Sequence, residues 1–261
     1  MAGSRVRHFL LGKWAIPVMG LCMRNRLIPV MTEADKSFVR SLLIHEDAAV
    51  LVFNKPSGLP VQSRGNKARC LDELLWAFAR SNGKRPRLVH RIDAGTSGLV
   101  IAAKTQPVAA FLSAAFEARQ VEKCYLALCS GALPRCDKGM IDASISKLER
   151  PGKTTRSVIS KPNSKTAQSA QTHWSVLYRS GDHALIEARP TTGRMHQIRV
   201  HLADIGLPIL GDTLYGGGTQ TAPRLMLHAA GLSLPHPGGE TLQLEAPIPA
   251  DFAAQVKTCG L

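Results

Sequence analysis

The sequence predicts an α+β fold, a mixed and mainly antiparallel central sheet with flanking helices and loops. Three observations predict it. Short apolar runs bounded by Gly, Pro and Ser alternate with segments whose apolar residues recur at helical spacing. The two kinds follow no regular strand–helix–strand order, and no Gly-rich nucleotide fingerprint or internal repeat occurs, which disfavours a parallel doubly wound sheet. The chain of 261 residues, 44% hydrophobic and 20% charged, can bury a sizeable core, and no apolar run approaches the roughly 20 residues of a membrane-spanning helix.

Taken in order, residues 49–54 are an apolar run that ends in Lys55, Pro56, Ser57 and Gly58, a strand entering a turn. Leu71, Leu74, Leu75 and Phe78 fall at i, i+3, i+4 and i+7, predicting a helix over 71–80. Residues 98–103 form a continuous apolar run, a buried strand. Val108, Phe111, Leu112, Ala115 and Phe116 repeat at helical spacing, and Pro107 can start that helix because its missing N–H falls in the first turn. Residues 121–130 and 184–188 read as further strands. Thr192 as N-cap and Gly206 as the residue past the C-cap bracket a helix over 194–205, with Met195, Ile198, Leu202 and Ile205 as its apolar stripe. Residues step about 100° around a helix, which puts Arg199 at the edge of that stripe. A half-buried guanidinium needs a carboxylate. Asp93 is the candidate.

Charge narrows the partner. The formal net charge is +14, which favours a polyanion over a neutral metabolite. Residues 51–100 hold nine Lys/Arg against three Asp/Glu, residues 151–200 hold eight against two, and residues 201–261 hold two against five. Residues 147–165 carry Lys147, Arg150, Lys153, Arg156, Lys161 and Lys165 against Glu149, with no aromatic residue. A loop or loose hairpin of that composition can grip phosphates but cannot read bases by stacking. Lys153, Arg156, Lys161 and Lys165, with Lys84, Arg85 and Arg87 from the first basic block, are the candidate contacts to a nucleic-acid backbone.

The six cysteines show no CxxC pairing, so neither a zinc site nor a secreted disulfide scaffold is expected, and a reducing cytoplasm is the expected setting. His90, His196, His201 and His228 lack an HExxH-type pairing with acidic support, and no metal is expected. The first 32 residues hold no acid but include Arg5, Arg7, Lys13, Arg24 and Arg26, while Pro17 and Pro29 interrupt any long helix. Residues 1–39 read as a poorly ordered extension and residues 40–261 as one domain.

The densest chemistry lies in residues 87–104. Asp93 follows Arg91 by two positions, just before a small-residue turn and the apolar run, with Arg87 and His90 close by. A carboxylate at the mouth of a buried strand needs a partner, and one held this way can act as nucleophile or base.

Three polar constellations remain to be explained: His90-Arg91-Ile92-Asp93, Lys123-Cys124-Tyr125-Leu126-Ala127, and Gly193 through His201. Their order and composition resemble the RluA-type RNA pseudouridine synthases. The family pattern reads His-Arg-Leu-Asp, then two residues, then Thr-Ser-Gly; here Ile92 replaces the Leu and Thr96-Ser97-Gly98 is kept. Asn54-Lys55-Pro56-Ser57-Gly58-Leu59-Pro60 resembles the first family motif, Leu227-His228-Ala229 the last, and Gly211-Asp212-Thr213-Leu214-Tyr215-Gly216 the sequence before it. The likeness covers roughly residues 40–250.

The resemblance implies a pseudouridine synthase fold and a catalytic aspartate at Asp93. It implies a tyrosine against the target base at Tyr125 and an arginine paired with the aspartate at Arg199. Arg91 would occupy space beside an extruded nucleotide, and His90, Thr96, Lys55, Arg194, His196, Gln197 and Leu227 would shape the site or touch RNA. The implied reaction breaks the uridine N1–C1′ bond, turns the base and joins C5 to C1′. It involves no redox change, so no cofactor or metal is called for. The implied substrate is a structured stem-loop of ribosomal or transfer RNA, acted on by a monomer. A non-catalytic RNA-binding protein is the competing class, which would not need an acid in an anion-binding cleft. A glycoside hydrolase is disfavoured by the missing second carboxylate.

Overall fold

The computed structural model describes residues 31–63, 69–131, 135–149, 155–161, 164–216 and 222–261. The expectations for residues 1–30, and the phosphate contact expected of Lys153, lie outside them. The first helix, α1 (Glu33–Ser41), is fixed by a reciprocal cap: the Thr32 hydroxyl accepts the Asp35 N–H at 3.1 Å while the Asp35 carboxylate accepts the Thr32 N–H at 3.0 Å. Val39 is fully buried. Residues 33–39, expected within a poorly ordered extension, are therefore helical and packed.

Two strands follow, β1 (Leu43–Glu46) and β2 (Val50–Lys55), paired antiparallel. Asp47 closes their turn by accepting the N–H groups of Ala49 and Val50. The helix expected over 71–80 is shorter: α2 (Leu71–Leu74) tightens into a 3₁₀ turn over Leu75–Phe78. Leu71, Leu74 and Leu75 still bury as the spacing requires. Beyond Phe78 the backbone opens at Ala79, and Arg85 folds back over the Trp76 ring.

β3 (Arg87–Leu88) and β4 (Ser97–Ala103) come next, then α3 (Gln106–Glu117), which Thr105 caps and Pro107 enters in the first turn. β5 (Glu122–Ser130) and β6 (Lys138–Asp142) are followed by β7 (Ile145–Leu148) and β8 (Arg156–Ile159), a separate two-stranded hairpin. β9 (Gln171–Ser180), β10 (His183–Pro190), α4 (Gln197–Asp204), β11 (Leu227–Pro235), β12 (Thr241–Glu245) and α5 (Ala250–Thr258) complete the chain.

Ten strands form one sheet in the order β1-β2-β4-β11-β5-β10-β9-β6, with β12 added to β11 and β3 to β4. Among the described pairs only β4 and β11 run parallel. β4 reads as an unbroken apolar run because both its faces are covered. Leu99 and Ile101 pack with Leu112 of α3, while Val100 and Ala102 pack with Leu71 and Leu75 on the other side. A second core seats Ile198 and Leu202 of α4 and Phe252 of α5 against β5 and β10. Where β4 and β11 meet, Gly98 has φ +111, and a Cβ there would lie 2.2 Å from the Ala229 carbonyl oxygen. Only glycine lets these strands close, and that junction sets Asp93 beside β5 and β11.

Candidate active site

The turn that carries Asp93 is pinned from several directions. The Thr96 N–H donates to the Asp93 carbonyl at 3.1 Å. Ile92 is buried in the core beneath. The Asn54–Gly58 region ties down the next residues: Gly58 N–H and the Lys55 ammonium both donate to the Ala94 carbonyl, at 2.8 and 3.1 Å, and the Ser57 hydroxyl donates to the Gly95 carbonyl at 2.7 Å. Lys55 is wholly buried and also donates to the Pro56 carbonyl at 2.9 Å. Burial brings its pKa down to about 7, against the opposing pull of the Asp93 charge. The substrate contact expected of Lys55 is corrected: its ammonium braces the Asp93 turn from below and does not line the cleft.

His90 is corrected in the same sense. Its Nε2 accepts the Ile101 N–H of β4 at 3.0 Å and its ring stacks on Phe116, centroids 4.6 Å apart. Burial, with Lys123 nearby, pushes the imidazole down to about 3, so it stays neutral. One ring edge borders the cleft, but its acceptor nitrogen is taken by the strand.

The carboxylate of Asp93 is one-quarter exposed, and its Oδ2 lies 3.4 Å from Arg199 Nη1 and 3.8 Å from His196 Nε2. The Arg199–Asp93 contact expected from the helix stripe is present, but it is not the main one. Arg199 donates from Nε and Nη2 to both oxygens of Asp212, 2.7 Å each, and the Asp212 side chain is fully buried. Bidentate pairing of this kind is the strong form. Asp212 also accepts the Leu214 N–H at 3.0 Å. Burial lowers and Asp212 then raises the arginine's pKa, for a net increase.

Tyr215 completes the arrangement. Its ring lies 5.1 Å from Arg199 Cζ, and its hydroxyl accepts the Ser157 N–H at 2.9 Å and meets His196 Nδ1 at 3.0 Å. The Ser157 hydroxyl donates to the Met195 carbonyl. The basic hairpin β7–β8 is thereby fastened to the segment that carries His196 and Arg199. Burial lowers the His196 pKa and Asp93 opposes that shift.

α4 begins at Gln197, not at residue 194, with His196 as a left-handed N-cap at φ 55. The reason is Gln197 itself. Its oxygen accepts the Thr192 hydroxyl at 2.6 Å and the Arg194 N–H at 3.0 Å, and its amide donates to the Gln171 carbonyl at 2.9 Å and Thr172 Oγ1 at 3.0 Å. The turn over 191–196 winds round this hub instead of joining the helix, so Thr192 caps Gln197's side chain and not the helix backbone. All four hydrogen-bonding positions of the amide are filled. The RNA contact expected of Gln197 gives way to a supporting place.

These parts enclose a cleft of about 590 Å³, bordered by His90, Arg91, Asp93, Thr96, Tyr125, Arg194, His196, Gln197, Arg199 and Leu227. Ten of the eleven expected catalytic and substrate-binding residues therefore converge, and Lys55 is the exception. Tyr125 stands on β5 between Ala188 and Ala229, and burial with the Asp93 charge holds its phenol above the ordinary range. Arg91 is exposed at the mouth, and Arg194 donates to the Ser169 carbonyl at 3.2 Å.

Of the expected backbone contacts, Lys84, Arg87, Lys161 and Lys165 are exposed, and Arg156 is half-exposed on β8. Arg85 is corrected: its guanidinium is committed to Asp72 at 2.8 and 3.0 Å. Among the described residues no group of three or more His, Cys, Asp or Glu side chains could hold a metal ion. Sequence reasoning missed Asp212 and Tyr215 as members of the site. Both lie in the matched 211–216 motif, and a guanidinium with five donors signals a need for more than one acceptor.

A family model for RNA pseudouridylate synthase matches residues 49–204. The chain belongs to that family, and is an RNA pseudouridine synthase of the RluA type that its motif order resembles. An RNA pseudouridine synthase of Zymomonas mobilis is 36% identical over 208 residues, covering 79% of this chain and 93% of its own. The ribosomal large subunit pseudouridine synthase D of Haemophilus ducreyi is 34% identical over 233 residues, 82% of this chain and 69% of its own. Among solved structures, human RNA pseudouridylate synthase domain containing 4 superposes with a TM-score of 0.73 at 28% identity, covering 87% of this chain and 97% of that one.

Proposed function

We propose that this isomerase converts specific uridines of structured ribosomal RNA to pseudouridine, with Asp93 as the group that acts on the ribose. The observation that carries this reading is the state of Asp93: a carboxylate open to the cleft and held at 3.4 Å by an arginine whose fork belongs to Asp212. It is anchored yet not saturated. Its free oxygen can attack C1′ as the N1–C1′ bond breaks, or take a ribose proton that is later returned; the turned base then joins C1′ through C5, which sheds its proton while N1 gains one. The likeness to synthases named for the large ribosomal subunit favours ribosomal RNA over transfer RNA.

Tyr125 packs against the extruded uracil, Arg199 holds Asp93 in place, and Arg91 at the mouth fills the space the base vacates. Thr96, Leu227, His196 and Arg194 shape the walls. Extruding the base costs a few kcal/mol, and phosphate contacts from the exposed cations on the basic blocks offset it. The reaction is redox-neutral, so it proceeds without cofactor or metal, and one catalytic domain that includes α1 (Glu33–Ser41), working as a monomer, suffices. Mapping pseudouridine in ribosomal and transfer RNA from cells with and without the gene tests this. A ribosomal pseudouridine is lost and is restored by the wild-type gene. Unchanged maps would refute the substrate assignment, and loss confined to transfer RNA would move it there.

A further inference from the structure

Part of the cleft is lined by residues that the proposed chemistry leaves unused: Phe116, Glu117, Arg119, Lys123 and Pro190. Lys123 precedes Tyr125 by two residues on β5, so the two side chains leave the same face of the strand with attachment points about 7 Å apart. Its ammonium donates to the Thr192 carbonyl at 3.0 Å, which aims it along the cleft wall. Burial and the neighbouring Arg119 charge bring its pKa down to about 8. Two like charges thus border one cleft, and among the described residues neither is ion-paired to a carboxylate, Glu117 included.

The backbone points the same way. α3 ends with Gln120 N–H on the Ala115 carbonyl at 2.9 Å and Arg119 N–H on the Phe116 carbonyl at 3.2 Å. This termination demands a left-handed residue and ordinarily takes glycine. Here the position is Arg119, at φ 60. Among the described residues only Arg119 and His196 are non-glycine residues with positive φ, and both border this one cleft. Left-handed backbone on bulky side chains concentrates where a site needs them.

We infer that Arg119 and Lys123 form a phosphate subsite that grips the RNA backbone next to the isomerised uridine, one nucleotide along the cleft from Tyr125. The inference rests on this cleft being where RNA is isomerised. Two cations on one cleft wall lacking a counter-ion are completed by a phosphate oxygen, and a grip about one nucleotide from Tyr125 holds the strand while the neighbouring base is extruded.

The test uses the full-length protein and unmodified large-subunit ribosomal RNA transcribed in vitro, with binding measured across a salt series. Arg119→Gly is the informative variant, since glycine suits the left-handed position and thermal unfolding at or above the wild-type temperature shows the fold intact. Its affinity falls several-fold, and the slope of log K against log salt shrinks by about 0.7–0.9. Arg119→Lys keeps most of the slope. A second measurement uses an oligoribonucleotide spanning the mapped uridine, with the adjoining phosphate replaced by a neutral methylphosphonate. The wild type loses affinity for it and Arg119→Gly loses no more. Unchanged affinity and slope in Arg119→Gly, or losses that add, would overturn the subsite. If the wild type makes no pseudouridine in the transcript while the slope difference persists, the functional reading fails and with it the placement beside an isomerised uridine, and what stands is an RNA-phosphate contact at Arg119.

Discussion

Asp212 takes one edge of the Arg199 guanidinium, through Nε and Nη2 at 2.7 Å each, and Arg199 reaches Asp93 by its remaining nitrogen at 3.4 Å. A buried carboxylate thus fixes the arginine, and the arginine in turn locates a carboxylate that stays open to the cleft. Static and reactive carboxylates are separated by one guanidinium.

That division predicts how Asp212 responds to substitution. Asp212→Ala strands a buried guanidinium and costs about 3–5 kcal/mol of stability, read by urea unfolding. The double variant Asp212→Leu/Arg199→Met removes both charges and recovers most of that stability, because a buried pair replaced by packed apolar residues is near neutral. Pseudouridine formation stays lost in the double variant, since no guanidinium then holds the Asp93 carboxylate. Recovery of activity together with stability would show the pair to be packing alone.

Gln197 gives a second separable outcome. Gln197→Leu leaves the partners in the 191–196 turn and on β9 unpaired, at a cost of about 1–3 kcal/mol. RNA binding by this variant keeps the wild-type salt slope, as no cation is lost. A wild-type unfolding midpoint combined with weakened RNA binding would make Gln197 a ligand instead of a hub.

A pH dependence follows from His90. Its folded pKa is held down at about 3 by burial, whereas an unfolded histidine titrates near 6.5. Between those values the unfolded chain binds a proton that the folded chain does not. Stability therefore falls as pH is lowered from about 6.5 toward 3, by up to about 1.4 kcal/mol per pH unit from this group. His90→Gln can keep an acceptor for the Ile101 N–H without titrating. Urea unfolding at pH 7, 6, 5 and 4 shows a flatter acid side in that variant, and parallel curves would remove His90 as the cause.

Much of this was legible before any coordinates. The run after Asp93 read as a buried strand because both faces of β4 are covered, and the ordered motifs brought Asp93, Tyr125 and Arg199 into one cleft. What one chain could not reveal was which polar residues are spent internally. Lys55, His90 and Gln197 have the chemistry of ligands, yet each is consumed by backbone or turn groups, and only the fold shows that. Asp212 was hidden for the converse reason: a carboxylate in a turn motif looks like a local cap until a guanidinium 13 residues upstream is placed against it. α4 starts later than the spacing predicts because the Thr192 hydroxyl, the right side chain for a cap, donates to Gln197 and accepts the Gln171 N–H instead of a helix N–H.

The direct measurement is pseudouridine formation by purified wild-type and Asp93→Asn protein on the RNA that carries the mapped uridine, with binding measured in parallel. Asparagine fits the same space and can still accept from Arg199, but it can neither attack C1′ nor take a ribose proton. The expected result is product from the wild type, none detectable from Asp93→Asn, and RNA affinity in the variant close to wild type. Product from Asp93→Asn at the wild-type rate would contradict the role given to Asp93 and move the chemistry elsewhere in the cleft.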